Sequence, residues 1–189
     1  MKLIIGLGNP GEQYTQTWHN LGFDAIQLLQ KKYNLPLLTF EKKFKANISI
    51  GLIGEEKVLL AEPQTFMNKS GEAVSRLMNF YKLSLKDIIV IHDDIDLPLG
   101  TLRIVSGSSA AGHNGVKSII EDVDSQEFVR LRLGVRTERI DTVGAINYVL
   151  ERYQDEHTAV IDDLLDRVVQ ASETIISSSV AAAMNKFNQ

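Results

Sequence analysis

The sequence predicts an α/β fold: a single domain over residues 1–189, built as a three-layer α/β/α sandwich around a mixed, mostly parallel central sheet. Three observations lead there. Short β-branched runs alternate along the chain with longer stretches of helical period. Two of the strands, Ala46–Ile53 and Lys57–Glu62, are separated only by Gly54-Glu55-Glu56, too short for a crossover, so they form an antiparallel hairpin. Finally, 189 residues at 44% hydrophobic content, without repeat, low-complexity tract or linker, suit one domain with a substantial core.

Taken in order, Lys2–Gly6 is a short apolar run ending in glycines, a buried strand. Asn20 can cap a helix from Leu21 to Tyr33, with Leu21, Ala25, Leu28, Leu29 and Lys32 on one face and Asn34 and Pro36 ending it. The hairpin follows. Lys69–Tyr81 is a second helix, since Val74, Leu77, Met78 and Tyr81 keep the 3.6-residue period. Asp87–His92 is a β-branched central strand that should stop in the carboxylates Asp93-Asp94-Ile95-Asp96. Thr101–Val105 is a further strand, Ser106–Gly115 a small-residue loop, and Val116–Val123 a helix. Phe128–Val135 alternates apolar residues with Arg, as a strand with one solvated face does. Asp155–Ser177 is the last long helix, with Val160, Leu164, Val168, Ala171 and Ile175 as its stripe.

Composition narrows the chemistry. The absence of cysteine excludes a disulfide, a thiolate metal site and a cysteine nucleophile. No apolar run approaches the ~18 residues of a membrane span, and Met-Lys-Leu-Ile-Ile-Gly is too short for a signal peptide, so a cytoplasmic location is expected. The net charge of −4 argues neither for nor against nucleic acid, because its distribution is uneven. Residues 151–189 carry three basic and seven acidic side chains, whereas residues 1–150 hold seventeen of each sign, so a local basic face is allowed.

Four polar clusters fall at strand ends or in the loops that follow, where open α/β sheets bind ligands. They are Gly8-Asn9-Pro10-Gly11 with His19-Asn20, Thr65-Phe66-Met67-Asn68, His92-Asp93-Asp94, and Gly112-His113-Asn114-Gly115. Gly6–Gly11 formally matches G-x-G-x-x-G. A dinucleotide site is disfavoured, however, because Pro10 and Gly11 oppose a helix start in the turn, and no acidic strand end follows about twenty residues on. His92 beside three aspartates raises a metal site, but neighbours on a strand point to opposite faces. No G-x-S-x-G elbow marks a serine nucleophile. A histidine base acting on water is the economical hydrolytic arrangement. Asp93 at a strand end can orient such a base, and the amides of Asn9, Asn68 and Asn114 can grip peptide groups and a developing oxyanion.

These clusters, together and in order, resemble the bacterial peptidyl-tRNA hydrolases. The likeness rests on Gly6-Leu7-Gly8-Asn9-Pro10-Gly11 with Tyr14, Thr17, His19, Asn20 and Gly22, and on Pro63–Gly71, His92–Gly100 and Gly112–Gly115. It implies a monomeric α/β enzyme that needs neither metal nor cofactor. The substrate it implies is the ester between a peptide and the 3′-terminal ribose of tRNA, so the partner is peptidyl-tRNA, engaged at its acceptor stem and 3′ end, with no role for DNA or membrane. Carried over, His19 is the general base, Asp93 holds its basic form, and Asn9 contacts the first peptide amide. Asn68 and Asn114 position water and peptide backbone, while Tyr14, Phe66 and Met67 line the cleft.

Two departures from the family pattern stand out. Where members often have a glycine-rich loop, this chain has Ser108-Ser109-Ala110-Ala111, which should be stiffer. The family also grips the 5′ phosphate of tRNA with two basic groups. Arg132 matches one; the place of the other holds Val105, with Arg103 two residues away on the same strand face. Arg103 and Arg132, with Lys117 and Arg136 nearby, are therefore the expected phosphate patch. Two other classes stay open at this point: a nucleotide-binding oxidoreductase, and a non-catalytic relative that binds RNA.

Overall fold

Strand and helix alternate through the structure, a computed structural model that describes residues 1–188. In chain order the elements begin with β1 (Lys2–Gly6), α1 (Leu21–Lys32), β2 (Thr39–Glu41), β3 (Ala46–Ile53) and β4 (Glu56–Pro63). Next come α2 (Ser70–Tyr81), β5 (Ile88–Pro98), β6 (Leu102–Ser106), α3 (Asn114–Val123) and β7 (Val129–Arg136). The chain closes with α4 (Arg139–Val143), α5 (Ala145–Leu150), α6 (Thr158–Ser177) and α7 (Val180–Phe187). Among the described residues seven strands form one sheet in the order β2-β3-β4-β1-β5-β7-β6. Its centre, β4-β1-β5-β7, is parallel, while β2, β3 and β6 join antiparallel at the two sides.

The near-continuous apolar runs of β1 and β5 are explained by burial on both faces. Ile4, Ile89 and Ile91 pack with Leu21, Ala25 and Leu29 of α1 and with Leu164, Val168 and Ala171 of α6. Leu3, Ile5 and Val90 face the other way, against Val74 and Leu77 of α2 and Val116 and Ile119 of α3. One domain thus has a core on each side of its sheet, the three-layer arrangement that the patterning implies. No described helix is long and apolar enough to cross a membrane.

Several elements depart from the sequence reading. Strand β5 does not stop at His92; it runs to Pro98, passing through an irregularity after Asp94 where its register against β7 shifts. Pairing with β7 through Arg136 keeps the backbone extended, and long-range partners neutralise the carboxylates that looked like a stop signal. The short elements β2, α4, α5 and α7 carry no periodicity long enough to read. Val160 stays exposed, whereas the rest of the α6 stripe is buried. Asn20 precedes α1 but makes no capping bond.

Helix α1 crosses over the end of β1 at almost no separation. A Cβ on Gly6 would stand 2.0 Å from the Gly22 carbonyl oxygen, and one on Gly22 would stand 2.4 Å from Leu7 N. Gly6 and Gly22 therefore serve this crossing, which swings the turn before α1 across the carboxyl ends of β1 and β5. Open α/β sheets place their ligand sites there.

Candidate active site

The four polar clusters converge on one cleft of about 470 Å³, which His19, Asn9, Asp93, Met67 and Asn114 help to line. His19 sits on the tight turn Trp18–Asn20, and its imidazole is mostly buried. Nδ1 donates to both oxygens of Asp93, at 2.9 and 3.0 Å, which leaves Nε2 as the ring nitrogen available to the cleft. The Asp93 carboxylate is 1% exposed and also accepts a bond from His113 Nε2 at 3.1 Å.

His113 is held by a second device. Its Nδ1 accepts the backbone N–H groups of Gly115 and Val116, at 3.1 and 3.3 Å, so the imidazole is the N-cap of α3. With Nδ1 accepting from the helix, Nε2 is the nitrogen that donates to Asp93. His92 is enclosed beneath it, edge-on to the His113 ring at 4.7 Å, and donates from Nδ1 to the Asp93 carbonyl oxygen at 2.7 Å.

Electrostatics set His19 apart from His92. Burial works to lower the pKa of His19, but the Asp93 charge and hydrogen bond outweigh it, and the net displacement is upward. For Asp93 burial acts upward, and the two imidazoles override it, holding the carboxyl well below the usual carboxylate range. Burial drives His92 far below the ordinary imidazole value, and neighbouring His113 adds to this. The arrangement therefore contains an ionised carboxylate that accepts from two imidazoles, one of which, His19, keeps a ring nitrogen for the cleft. Chemically it can take a proton from water and stabilise the resulting imidazolium.

Asn9 is oriented with equal definition. Its Oδ1 accepts the Met67 N–H at 2.9 Å, so the amide N–H groups are left to face the cleft. Asn20 secures the backbone beside it: Asn9 N–H donates to Asn20 Oδ1 at 2.9 Å, and Asn20 Nδ2 returns a bond to the Asn9 carbonyl at 3.0 Å. The Asn20 side chain thus ties the loop after β1 to the turn carrying His19. Met67 is buried against the start of α3, where a Cβ on Gly115 would meet its sulfur at 2.4 Å. Phe66, Asn68 and Asn114 are exposed on the rim. Tyr14 stands apart from them: it lies half-buried on the turn Glu12–Tyr14 and is not among the residues lining the cleft.

Arg103 and Arg132 are cross-strand neighbours on β6 and β7. Arg132 Nε meets Asp94 Oδ2 at 2.5 Å, and Arg103 Nη1 donates to the Asn188 carbonyl at 2.9 Å. Asp94 lines the cleft, so this cationic pair adjoins it. Lys117 and Arg136 are exposed, each beside an acid of its own, Glu121 and Asp141. The loop Ser106–Gly112 is anchored from below by Arg130, whose guanidinium donates to the carbonyl oxygens of Ser108 and Ser109.

Sequence reasoning missed three contributors. His113 bonds the same carboxylate as His19; its place in a polar cluster was visible, its partner was not. Asn20 stood next to His19 in the motif but looked like a helix cap. The apolar wall of α5, made by Ile146, Val149 and Leu150, had no pattern to reveal it.

Comparison with known proteins gives one consistent result. A family profile described as Peptidyl-tRNA hydrolase matches residues 3–189. The peptidyl-tRNA hydrolase of Lachnoclostridium phytofermentans is 48% identical over 189 residues, covering 100% of this chain and 97% of its relative. That of Bacillus cytotoxicus is 43% identical over 188 residues, covering 100% of each. The crystal structure of peptidyl-tRNA hydrolase from Acinetobacter baumannii superposes with a TM-score of 0.90 at 31% identity, over 100% of this chain and 94% of that one.

Proposed function

Since the chain belongs to the peptidyl-tRNA hydrolase family and hydrolyses peptidyl-tRNA, we propose that His19 is the general base of that reaction and Asp93 the group that sets its basicity. The observation that carries this assignment is the single ring nitrogen left to the cleft, Nε2 of His19, while Nδ1 is committed to a buried carboxylate. Water approaching the ester carbonyl gives its proton to Nε2 as its oxygen bonds to the carbonyl carbon. The imidazolium so formed is stabilised by Asp93. When the tetrahedral intermediate collapses, the C–O bond to the 3′-terminal ribose breaks and the imidazolium returns the proton to the departing ribose oxygen. No acyl-enzyme forms, and the oriented base contributes ~10²–10⁴-fold in rate.

Asn9 accounts for selectivity. Its amide faces the cleft as a donor and so binds a peptide carbonyl, an acceptor that an N-blocked residue has beyond its ester. A free α-ammonium offers only donors at that point, leaving the Asn9 N–H groups without a partner, and this is the strong form of discrimination in a closed site. Asn68 and Asn114 on the rim would hold water and peptide backbone, and Phe66 and Met67 would flank the substrate's reacting end. Tyr14, outside the cleft lining, would meet the substrate only beyond the reacting end. Arg103 and Arg132 would take a phosphate of the acceptor stem, with the chain acting as a monomer.

The test compares hydrolysis of N-acetyl-aminoacyl-tRNA and free aminoacyl-tRNA by the wild type and by His19→Ala. Release from the blocked substrate alone, lost in the variant, is the expected result. Near-wild-type turnover by His19→Ala would remove His19 from the chemistry.

A further inference from the structure

Only one face of α5 belongs to the cleft. Ile146, 80% exposed, stands there with Val149 and Leu150. On the opposite face Tyr148 is 1% exposed, its hydroxyl donating to the Val135 carbonyl at 2.5 Å and lying 3.0 Å from Thr137 Oγ1. Its ring stacks on Trp18, with centroids 5.6 Å apart and 18° between planes, and Trp18 immediately precedes His19. The chain leaving α5 is bonded to the same turn. Trp18 N–H donates to the Glu151 carbonyl at 3.4 Å, Tyr153 N–H to the Gln16 carbonyl at 3.0 Å, and Thr17 bridges to Arg152.

Beyond these contacts α5 packs on α4, and Val149 rests on the core. Six residues cannot sustain a helix alone, and α5 starts at Gly144, whose φ of 79° only glycine adopts freely. Beside the rings lies a pocket of about 380 Å³, bordered by Trp18, Tyr148, Tyr153 and His157.

We propose that Tyr148 and Trp18 are positioning residues: their stack joins the cleft wall of α5 to the turn carrying His19, so one joint sets both the surface that receives substrate and the base that activates water. This rests on His19 being the base. Neither ring touches the reacting atoms; both act through the elements they hold.

The chain has one tryptophan, so its fluorescence reports on the joint directly. In Tyr148→Leu the stack is lost, and Trp18 emission should move to the red as water enters. With N-acetyl-aminoacyl-tRNA, well below the melting temperature, kcat should fall and KM should rise, each by about fivefold or more, since sub-ångström misplacement of a base and a wall is costly. Tyr148→Phe keeps the stack and loses the hydroxyl; it should melt earlier yet recover most of kcat and the native emission. A red-shifted Tyr148→Leu with kcat and KM within about twofold of wild type overturns the proposal. So does a Tyr148→Phe whose kcat falls as far as that of the leucine variant. Should Tyr148→Leu not fold, Trp18→Leu decides, unchanged kcat and KM counting against the joint. His19→Ala separates the two readings: if it is inactive while Tyr148→Leu is normal, only the joint is wrong, and if it is active, the base assignment falls first.

Discussion

Replacing Asp93 by Asn removes one charge from a buried site and changes almost no volume. Nδ1 of His19 lies 2.9 and 3.0 Å from the two carboxylate oxygens, and His113 Nε2 lies 3.1 Å from one of them. His113 must donate, because its Nδ1 is occupied by the cap of α3, so the asparagine oxygen is drawn to the position the two rings share. Its NH2 then faces His19 Nδ1, donor against donor, and favours the tautomer with its proton on Nε2, which cannot accept one from water. The lost charge adds to this. Opposite unit charges ~4 Å apart at an effective dielectric of ~20 attract by ~4 kcal/mol. Imidazolium forms in the transition state, so that attraction is lost from kcat, less the ~1 kcal/mol a neutral hydrogen bond retains. The expected fall in kcat is ~10²–10³-fold, with KM within about threefold. The pH profile carries independent information. Only neutral His19 accepts a proton, so activity rises with pH through its pKa, which Asp93 holds above the ordinary imidazole value. The titratable groups facing His19 are Asp93 on β5 and His113 ahead of α3. Without the Asp93 charge burial alone acts, so the acid limb must move to lower pH while the plateau drops. The assay is initial-rate hydrolysis of N-acetyl-aminoacyl-tRNA from pH 5 to 8.5. A kcat within threefold of wild type would refute the reasoning, and a large loss with an unmoved limb would show that Asp93 acts through shape rather than charge.

Asp24 on α1 has its pKa pushed up to about 6, chiefly by burial and then by the Glu62 charge, against a hydrogen bond from Tyr153. The folded state therefore disfavours the ionised form, and stability is lost as pH rises from ~4 to 6 and stays lost above. Asp24→Asn should raise the melting temperature at pH 8 by about 3–6 °C, from ~1–2 kcal/mol, and change it little at pH 4; equal shifts at both pH values would rule the account out. Arg103→Ala and Arg132→Ala should each weaken tRNA binding and lessen the slope of log affinity against log salt by about one phosphate contact. If affinity and slope both hold in Arg103→Ala, the phosphate patch does not include it. Gly22→Ala puts a Cβ within 2.4 Å of Leu7 backbone atoms and 2.6 Å of the Ile91 carbonyl oxygen. Thermal unfolding should register a loss of ~3 kcal/mol or more, and an unchanged melting temperature would mean that α1 can slide.

The parts legible in the sequence are those in which local pattern and tertiary environment agree. β1 and β5 read as strands because burial on both faces leaves an apolar run, and α2 and α6 because one apolar face repeats every turn. Helix α5 was invisible for the converse reason. Ala145–Leu150 is too short for a period, and its two faces are chosen by contacts with Trp18 and Val135 that lie far away in sequence. The end of β5 was misplaced because consecutive aspartates look like solvent-facing residues. Asp93 is buried only because His19 and His113 reach it, and Asp94 only because Arg132 does. Capping shows the same limit. Asn20 stands where an asparagine should cap α1, yet its side chain serves the Asn9 backbone, while a histidine caps α3.

The choice among three histidines makes the point about function. His19, His92 and His113 all border polar clusters, and by residue type each is an acceptable base. Geometry gives two of them other partners. His113 has both ring nitrogens engaged, Nδ1 by two backbone N–H groups at the start of α3 and Nε2 by Asp93. His92 is enclosed, its Nδ1–H given to the Asp93 carbonyl and its Nε2 buried without a partner among the described residues. The proposed base, His19, is the one whose second ring nitrogen is left to the cleft. By engaging Nδ1 of His113, the α3 cap also turns its Nε2–H to Asp93, so the carboxylate that holds His19 is itself held by the start of α3. The helix terminus therefore helps to orient the partner of a side chain almost a hundred residues away, a link no local sequence pattern contains.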